Sequence, residues 1–185
     1  MPIPSGASIL LDAEKILSHL RVTEGMCVGE LGCGGRGHFV FPVVRLVGSK
    51  GKVYAIDVVK TVLTAIEHEA REQHWFNIVT VWSDLESVGA ARVPERTLDR
   101  ATLINVLFQV QNHEAVLRET QRLLKPQSSL LVVDWKPESA PFGPNPTTRV
   151  PKERIVHLAQ GLGFTSTEDF AAGPYHYGLI FTLPS

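Results

Sequence analysis

The chain has 185 residues, of which 44% are apolar and 20% are charged, a composition that excludes a disordered or fibrous protein and suits one globular domain. Its net charge of −1 offers no basic excess to neutralise phosphates, which disfavours a large RNA or DNA ligand. No apolar run reaches the roughly 20 residues of a membrane span and the N-terminus has no signal-peptide pattern, so a cytoplasmic protein is expected.

The first half of the chain alternates between helical and strand-like patterns. Residues 7–20 place apolar side chains at helical spacing and predict an amphipathic leader helix. Short, mainly apolar runs then predict buried strands, and segments with a 3.6-residue period predict helices between them. The predicted strands are 26–31, 52–57 and 77–82, and the predicted helices are 38–47 and 59–73.

The second half continues this alternation and closes with two strand-like segments. The predicted elements are strands over 98–105 and 128–135, helices over 114–125 and 152–160, and terminal strands over 163–172 and 175–183. Pro126 is expected to end the first of these helices. Five prolines in residues 136–151 predict an irregular loop.

Taken together, the elements predict an α/β fold. Strands and helices that take turns indicate a Rossmann-like, doubly wound and mostly parallel sheet, to which the tail adds a C-terminal antiparallel β-hairpin. We expect residues 1–24 to form an N-terminal leader-helix region packed on the domain, and residues 25–185 to form a single domain. Cys27 and Cys33 have no CxxC or histidine partner at metal spacing, so reduced thiols and no metal site are expected.

The glycine-rich residues 29–39, GELGCGGRGHF, indicate a ligand site. Glycines at this point let the backbone turn sharply between a strand and a helix, and let a ligand approach without a Cβ in the way. Asp57 stands twenty residues beyond Gly37 at the end of the second predicted strand. Its carboxylate would there accept hydrogen bonds from the two hydroxyls of a ribose, so the pattern predicts a nucleoside site.

Two classes of cofactor carry such a nucleoside. Gly32, Gly34 and Gly37 spell GxGxxG, which is also the pyrophosphate fingerprint of nicotinamide and flavin enzymes. Glu30 precedes the first of these glycines, where a carboxylate would oppose a pyrophosphate but attract a sulfonium ligand that also carries an ammonium group. Glu30 therefore favours S-adenosylmethionine, and a nicotinamide-dinucleotide-binding module is the alternative.

The order of these motifs resembles the class I S-adenosylmethionine-dependent methyltransferases, in particular the small ubiquinone/menaquinone-biosynthesis-like group. The resemblance runs from about Gly25 onward through GELGCGGRGHF, KVYAID, WSDLE, LDRATLINVLF, RLLKP, LLVVDW and YHYGLIF. It implies a seven-stranded sheet whose last strand is antiparallel. It also implies methyl transfer from S-adenosylmethionine to an oxygen, carbon or nitrogen atom of a small molecule, with S-adenosylhomocysteine as product.

The resemblance assigns roles to individual residues. The implied cofactor-binding residues are Glu30, Gly32, Cys33, Gly34, Gly35, Gly37, Asp57, Val58, Asp84, Leu85 and Asn105. Among these, Glu30 and the loop backbone would hold the methionine part, and Asp57 would bind the ribose. Val58 would pack on the adenine, whose amino group would donate to Asp84. Asn105 would close the methionine side.

The glycine loop departs from the family's pattern, because Gly35 and Arg36 separate Gly34 from Gly37 and make it one residue longer. No spacing typical of a general base, a nucleophile or a metal triad stands out, so no catalytic residue is predicted. An RNA or protein methyltransferase on the same fold remains an alternative, as does a silent binding protein. The chain has NVLF where a base methylase would show NPPY, and two cysteines are too few for arsenic methylation.

Several aromatic and histidine residues are open to more than one interpretation. Tyr175, His176 and Tyr177 are interpreted as structural, although their hairpin can reach the sheet edge where substrates bind. Phe142 and Arg149, in the proline-rich loop, either close over a substrate or merely cover the core. The remaining interpretations are packing or capping for His38 and exposed positions for the histidines at 19, 68, 74, 113 and 157.

Overall fold

The computed structural model describes residues 11–138 and 142–185, so residues 7–10 of the predicted leader helix and 139–141 of the predicted loop lie outside it. The helices are α1 (Ala13–Leu20), α2 (Val40–Val47), α3 (Lys60–Glu72), α4 (His113–Leu123) and α5 (Lys152–Gly161). The strands are β1 (Cys27–Leu31), β2 (Lys52–Asp57), β3 (Ile78–Trp82), β4 (Leu98–Ile104), β5 (Leu124–Trp135), β6 (Thr165–Gly173) and β7 (His176–Thr182). Within the described ranges, no helix has the length and apolar character to cross a bilayer.

The seven strands form one sheet in the order β3-β2-β1-β4-β5-β7-β6. Parallel pairs join β1 to β2 and β4, and continue to β3 on one side and β5 on the other. β7 runs antiparallel to β5 and β6. The predicted doubly wound, mostly parallel sheet with a C-terminal antiparallel hairpin is therefore confirmed. The strand order reverses between β1 and β4, and such a switch point is where open α/β sheets bind ligands.

Each face of the sheet is covered by its own apolar layer, because successive side chains of a strand point to opposite faces. Val28, Val53 and Val133 belong to the layer that includes α1, α2 and α3. Leu31, Ile56 and Val132 belong to the opposite layer, with α4 and α5. Burial on both faces explains why the strands are nearly continuous apolar runs in the sequence.

The predicted boundary between the helix over 114–125 and the strand over 128–135 is wrong. The helix ends at Leu123, and β5 begins at Leu124, which has an extended φ of −76° and ψ of 141°. Pro126 explains the early end, since a proline ring forces the preceding Lys125 out of the helical conformation. Leu124 pairs with Leu98 of β4, and a register shift follows before the next pair. The chain thus passes from helix to strand without an intervening loop.

The structure contradicts the prediction for His113 and agrees with the one for His38. His113 was predicted at the surface, but its side chain is 8% exposed and its Nε2 lies 2.9 Å from the carbonyl oxygen of Leu107. The prediction failed because α4 turns this residue towards the core. His38 Nε2 lies 3.0 Å from the carbonyl oxygen of Leu11, before α1. This contact agrees with the packing role interpreted for His38.

Candidate functional site

The glycine loop after β1 is tied to the end of β2 through its backbone. The N–H groups of Gly32 and Cys33 both donate to the carbonyl oxygen of Ile56, at 2.8 and 3.0 Å. Gly32 has a φ of +74°, and a Cβ at this residue would lie 2.5 Å from Cγ2 of Val106. Backbone conformation and the close approach of Val106 therefore both require glycine here. The loop lies where the carboxyl ends of β1, β2 and β4 meet.

Asp57, the last residue of β2, is 8% exposed and already accepts two backbone hydrogen bonds. Its Oδ2 accepts from the N–H of Gly34 at 3.0 Å, and its Oδ1 accepts from the N–H of Val59 at 2.9 Å. An ionised carboxylate has about four acceptor positions, so about two remain for a ligand. Asp57 therefore anchors the glycine loop, a role that the sequence pattern did not reveal.

Glu30 is a buried carboxyl group, 3% exposed, opposite Thr102 of β4 in the sheet register. The hydroxyl of Thr102 donates to Oε1 of Glu30 at 2.5 Å. Burial raises the pKa of Glu30 from 4.5 to about 7, and the hydrogen bond from Thr102 opposes that rise only in part. The salt bridges among the described residues do not include Glu30. A cation bound beside it would favour the carboxylate and lower this pKa.

No described residue fills the space beside the middle of the glycine loop. A Cβ on Gly34 or Gly35 would meet no heavy atom of a described residue within 4 Å. Arg36, in the part of the loop that is one residue longer, has a left-handed φ of 69° inside the short 3-10 turn Gly35–Gly37. Bare backbone beside open space is what a ligand lying against this loop requires.

A pocket of about 630 Å³ runs along β3 and is bordered by the residues that follow β2 and β3. Val58 and Asp84 both line it, so the fold brings these two predicted residues together. Val58 is 58% exposed, whereas Leu85 is buried in the core and does not line the pocket. Oδ1 of Asp84 accepts from the backbone N–H of Glu86 at 2.9 Å. The position of Leu85 leaves it without a direct side-chain path to a ligand in this pocket.

Trp82 lines the same pocket and was not singled out from the sequence. Its indole N–H donates to the carbonyl oxygen of Val58 at 2.9 Å, and the Lys60 ammonium lies 4.0 Å from the ring centroid. The sequence could have indicated Trp82, because it is a large aromatic residue at the end of a predicted strand, immediately before the SDLE segment. Trp82 gives the pocket an aromatic wall that is 59% exposed.

Asn105 follows β4 directly and has a left-handed φ of 58°. Its backbone N–H donates to the carbonyl oxygen of Val133 at 2.8 Å, which joins it to β5. Its side-chain Oδ1 is buried and has no hydrogen-bond partner among the described residues. Leaving a buried acceptor unpaired costs about 1–3 kcal/mol. Asn105 therefore offers an acceptor for a donor group at the switch point.

Cys33 packs within this loop as a neutral thiol. It is 8% exposed, and its Sγ lies 4.0 Å from Oδ2 of Asp57. Burial, together with the negative charges of Asp57 and Glu30, raises the pKa of the Cys33 thiol. Both cysteines are free thiols. Within residues 11–138 and 142–185, no group of three or more His, Cys, Asp or Glu side chains is arranged to hold a metal ion.

Aromatic side chains gather at the same edge of the sheet, where β5 ends and β7 begins. Trp135 pairs with His176 in the strand register, and their ring centroids are 4.2 Å apart. Phe142 lies edge-on to Trp135 at 6.4 Å and to Tyr175 at 5.1 Å. We name these four residues the aromatic corner. Tyr177 has a structural contact instead, since its buried hydroxyl donates to the carbonyl oxygen of Val150 at 3.1 Å.

Arg149 holds the described part of the proline-rich loop against the aromatic corner. Its guanidinium is buried, with its carbon 5.4 Å from the centroid of Trp135. It donates to the backbone carbonyl oxygens of Lys136, Glu138, Phe142 and Pro144. One side chain thus binds four separate residues of the loop. Arg149 therefore fixes the described part of the loop against the aromatic corner.

His176 is fully buried in this corner, at 0% exposure. Neither ring nitrogen has a hydrogen-bond partner among the described residues. Burial, together with the positive charges of Lys136 and Arg149, lowers the pKa of His176 to about 4. The imidazole is therefore neutral at neutral pH, with one N–H donor and one acceptor nitrogen.

The sequence is similar to known methyltransferases. A family model described as a methyltransferase domain matches residues 23–155. A 2-phytyl-1,4-naphtoquinone methyltransferase of Synechococcus elongatus is 31% identical over 110 residues, which cover 60% of this chain and 46% of that protein. A ubiquinone/menaquinone biosynthesis C-methyltransferase UbiE of Marinomonas sp. is 32% identical over 137 residues, which cover 73% of this chain and 53% of that protein.

The chain thus spans about half the length of these curated relatives. Among solved structures, a SAM-dependent methyltransferase from Aquifex aeolicus superposes with a TM-score of 0.87 at 25% identity. That superposition covers 97% of this chain and 94% of the other. The similarity includes the strand order and the terminal hairpin, because nearly the whole of both chains is covered.

Proposed function

The chain belongs to the methyltransferase domain family and has the class I S-adenosylmethionine-dependent fold, and from that premise we propose that it transfers a methyl group from S-adenosylmethionine to a small-molecule acceptor. One observation carries the proposal. Glu30, the glycine loop, Asp57 and Asn105 meet around the switch point between β1 and β4. These residues can bind the methionine part and the ribose of such a cofactor.

The residues of the site suit this cofactor. The empty space beside Gly34 and Gly35 can receive the methionine part, with the buried Oδ1 of Asn105 as an acceptor for its ammonium group. Asp57 keeps acceptor positions for the ribose hydroxyls. In the pocket beside β3, Val58 and Asp84 would contact the adenine. We propose cofactor contacts for the whole predicted set of cofactor-binding residues; Leu85, whose side chain is buried in the core, would contribute through its backbone.

Glu30 supports S-adenosylmethionine over a nicotinamide dinucleotide. A buried carboxyl group with a pKa of about 7 ionises readily when a cation approaches. The same group would repel a pyrophosphate, because two anions would then share a site of low dielectric constant. The charge of Glu30 therefore matches a cofactor with an ammonium and a sulfonium group.

The chemistry asks little of the protein's own side chains. S-adenosylmethionine supplies a methyl group that is already activated by the positive charge on sulfur. The protein then needs to align the acceptor and exclude water, effects that can lower a barrier by about 7–11 kcal/mol. We propose a planar, quinol-type ring as the acceptor class, since the curated relatives are named for naphtoquinone and ubiquinone/menaquinone methylation.

Calorimetry with S-adenosylhomocysteine and with NAD tests this function. We expect S-adenosylhomocysteine to bind and NAD not to bind. Binding near pH 7 should release protons, because the ligand's ammonium group lowers the pKa of Glu30 from about 7. Measuring the heat in buffers of different ionisation enthalpy gives the number of protons. Glu30→Gln is the matched control and should bind without this release.

Activity is tested with 1,4-naphthalenediol as acceptor and the formation of S-adenosylhomocysteine as readout. We expect product when S-adenosylmethionine and this diol are both present, and none above background when the diol is omitted. Binding of NAD without binding of S-adenosylhomocysteine would overturn the proposed function. Binding of S-adenosylhomocysteine with no product from quinol-type acceptors would leave the cofactor assignment standing and reject the acceptor class.

A further inference from the structure

We propose that the aromatic corner is the acceptor-binding site, in which Trp135 contacts a planar aromatic ring and a ring nitrogen of His176 accepts a hydrogen bond from its hydroxyl group. This inference rests on the proposed function, because it says where and by which groups the methyl acceptor binds. It adds a binding surface and a specificity-determining residue to the site around the switch point.

The location of the aromatic corner relative to the switch point supports its assignment as the acceptor-binding site. Asn105, Trp135 and His176 stand at the same sheet edge on three consecutive strands, β4, β5 and β7. Neighbouring strands lie about 4.8 Å apart, so His176 is displaced by about 10 Å across the sheet from Asn105. A bicyclic aromatic ring that carries a polar group at one end and faces a methyl donor at the other can span a distance of this order. The corner is therefore close enough for one acceptor to reach both the corner and a methyl donor at the switch point.

The corner also lies on the same face of the sheet as Glu30. Val28 and Val133 both belong to the layer with α1, α2 and α3. Glu30 and Trp135 each follow one of these valines by two positions in the same strand, and side chains two apart share a face. His176 contacts Trp135 directly. A methyl donor beside Glu30 and a methyl acceptor beside Trp135 would therefore lie on the same side of the sheet.

The unpaired nitrogens of His176 are the observation that indicates a ligand. A buried polar group normally finds a partner, and each buried exception needs an explanation. Here the donor and the acceptor of one imidazole both lack a partner among the described residues, in a side chain that is 0% exposed. A phenylalanine would fill the same aromatic space without that cost. An acceptor hydroxyl supplies the missing hydrogen bond.

Phe142 is the most exposed member of the aromatic corner. Phe142 is 45% exposed, whereas Trp135 beneath it is 6% exposed. Gly143 has a φ of +97°, and a Cβ there would lie 2.6 Å from the Trp135 ring, so the loop backbone rests directly on the indole. An incoming ring would displace Phe142 and take its place against Trp135. Arg149 keeps the rest of the described loop in place during this exchange, because it binds four of its carbonyl groups.

The test uses 2-naphthol, which has a planar ring and a hydroxyl group, and naphthalene, which has the ring alone. Both are titrated into the parent protein and His176→Phe, with and without S-adenosylhomocysteine. His157→Phe is the matched control, since it makes the same exchange at an exposed position of α5, outside the corner. We expect His176→Phe to bind 2-naphthol about tenfold more weakly than the parent. Naphthalene should bind the parent and His176→Phe equally, and His157→Phe should resemble the parent.

A second measurement does not depend on a variant's folding. In parent protein labelled with ¹⁵N-histidine, 2-naphthol should shift a His176 ring nitrogen, and naphthalene should not. Absence of that shift, absence of saturable 2-naphthol binding, or equal affinity in His176→Phe would each overturn the inference. An equal shift of the His176 ring nitrogen with 2-naphthol and with naphthalene would show that the hydroxyl group is not its cause, and would also overturn the inference. Normal binding of S-adenosylhomocysteine in those cases would leave the proposed function intact, whereas its absence would reject the function itself.

Discussion

The backbone N–H of Gly34 donates a hydrogen bond of 3.0 Å to Oδ2 of Asp57, so the glycine loop and the end of β2 hold each other in position. The other oxygen of Asp57 accepts from the N–H of Val59 at 2.9 Å. Val59 directly precedes α3. One carboxylate thus shapes the loop against which we propose that the cofactor lies. A substitution at Asp57 should consequently affect both folding and binding.

Asp57→Ala should lower the free energy of unfolding by about 1–3 kcal/mol, because it leaves backbone donors in a buried site without their acceptor. It should also weaken the binding of S-adenosylhomocysteine by at least about tenfold, since the ribose loses charged hydrogen bonds. Urea unfolding and calorimetry measure the two effects separately. A loss of stability with unchanged affinity would assign Asp57 to the fold alone.

Glu30 should make the stability fall as the pH rises between about 4.5 and 7. Its pKa is 4.5 in the unfolded chain and about 7 in the fold, so over this interval the folded state binds more protons. The stabilising effect of the raised pKa is complete below pH 4.5 and is lost as the pH passes through 7, a difference of about 3 kcal/mol.

Urea unfolding of the parent and of Glu30→Gln across this interval measures that effect. Burial also raises the pKa of Asp134, to about 6, but this group is present in both proteins and cancels in their difference. The parent should lose stability relative to Glu30→Gln as the pH rises. Parallel curves would show that Glu30 ionises in the fold as easily as in the unfolded chain.

Gly34→Ala should fold but bind the cofactor poorly. Gly34 has a φ of +62°, and a Cβ there would meet no heavy atom of a described residue within 4 Å. The folded protein therefore bears the strain of a backbone conformation, with φ of 62° and ψ of 175°, that is almost restricted to glycine and costs about 1–3 kcal/mol, while the new methyl group enters the space proposed for the cofactor. Gly25→Ala is the matched control, since Gly25 has a φ of +85° and equally open surroundings.

Both glycine variants should lose stability in urea unfolding, and only Gly34→Ala should lose affinity for S-adenosylhomocysteine. Equal affinity in the two variants would mean that the cofactor does not lie against this part of the loop.

Asn105→Gly should separate binding from stability. Asn105 has a φ of 58°, which glycine adopts without strain, and its buried Oδ1 has no partner among the described residues. The variant should therefore be as stable as the parent. Affinity for S-adenosylhomocysteine should fall by about tenfold or more, because the ligand's ammonium group loses its acceptor. Retained affinity in calorimetry would remove Asn105 from the cofactor site.

Local sequence patterns predicted the fold well. Apolar runs and glycine or proline breaks act over a few neighbouring residues, so they indicated the seven strands, their order of appearance and the terminal hairpin. The end of α4 was misplaced because Pro126 acts on the residues before it, and the predicted helix was extended to Lys125. His113 was misjudged because exposure depends on the packing of the whole helix.

By itself, the sequence determined that a glycine loop follows the first strand, that Glu30 precedes this loop and that Asp57 ends the second predicted strand, because these features depend on patterns local to the chain. Only the tertiary structure decided that Thr102 donates to Glu30, that Asp57 binds Gly34, and that Leu85 is buried in the core. It also decided that His176 lies against Trp135. These contacts depend on strand register, and register is settled only when residues distant in the chain pair in one sheet and bury their apolar faces together.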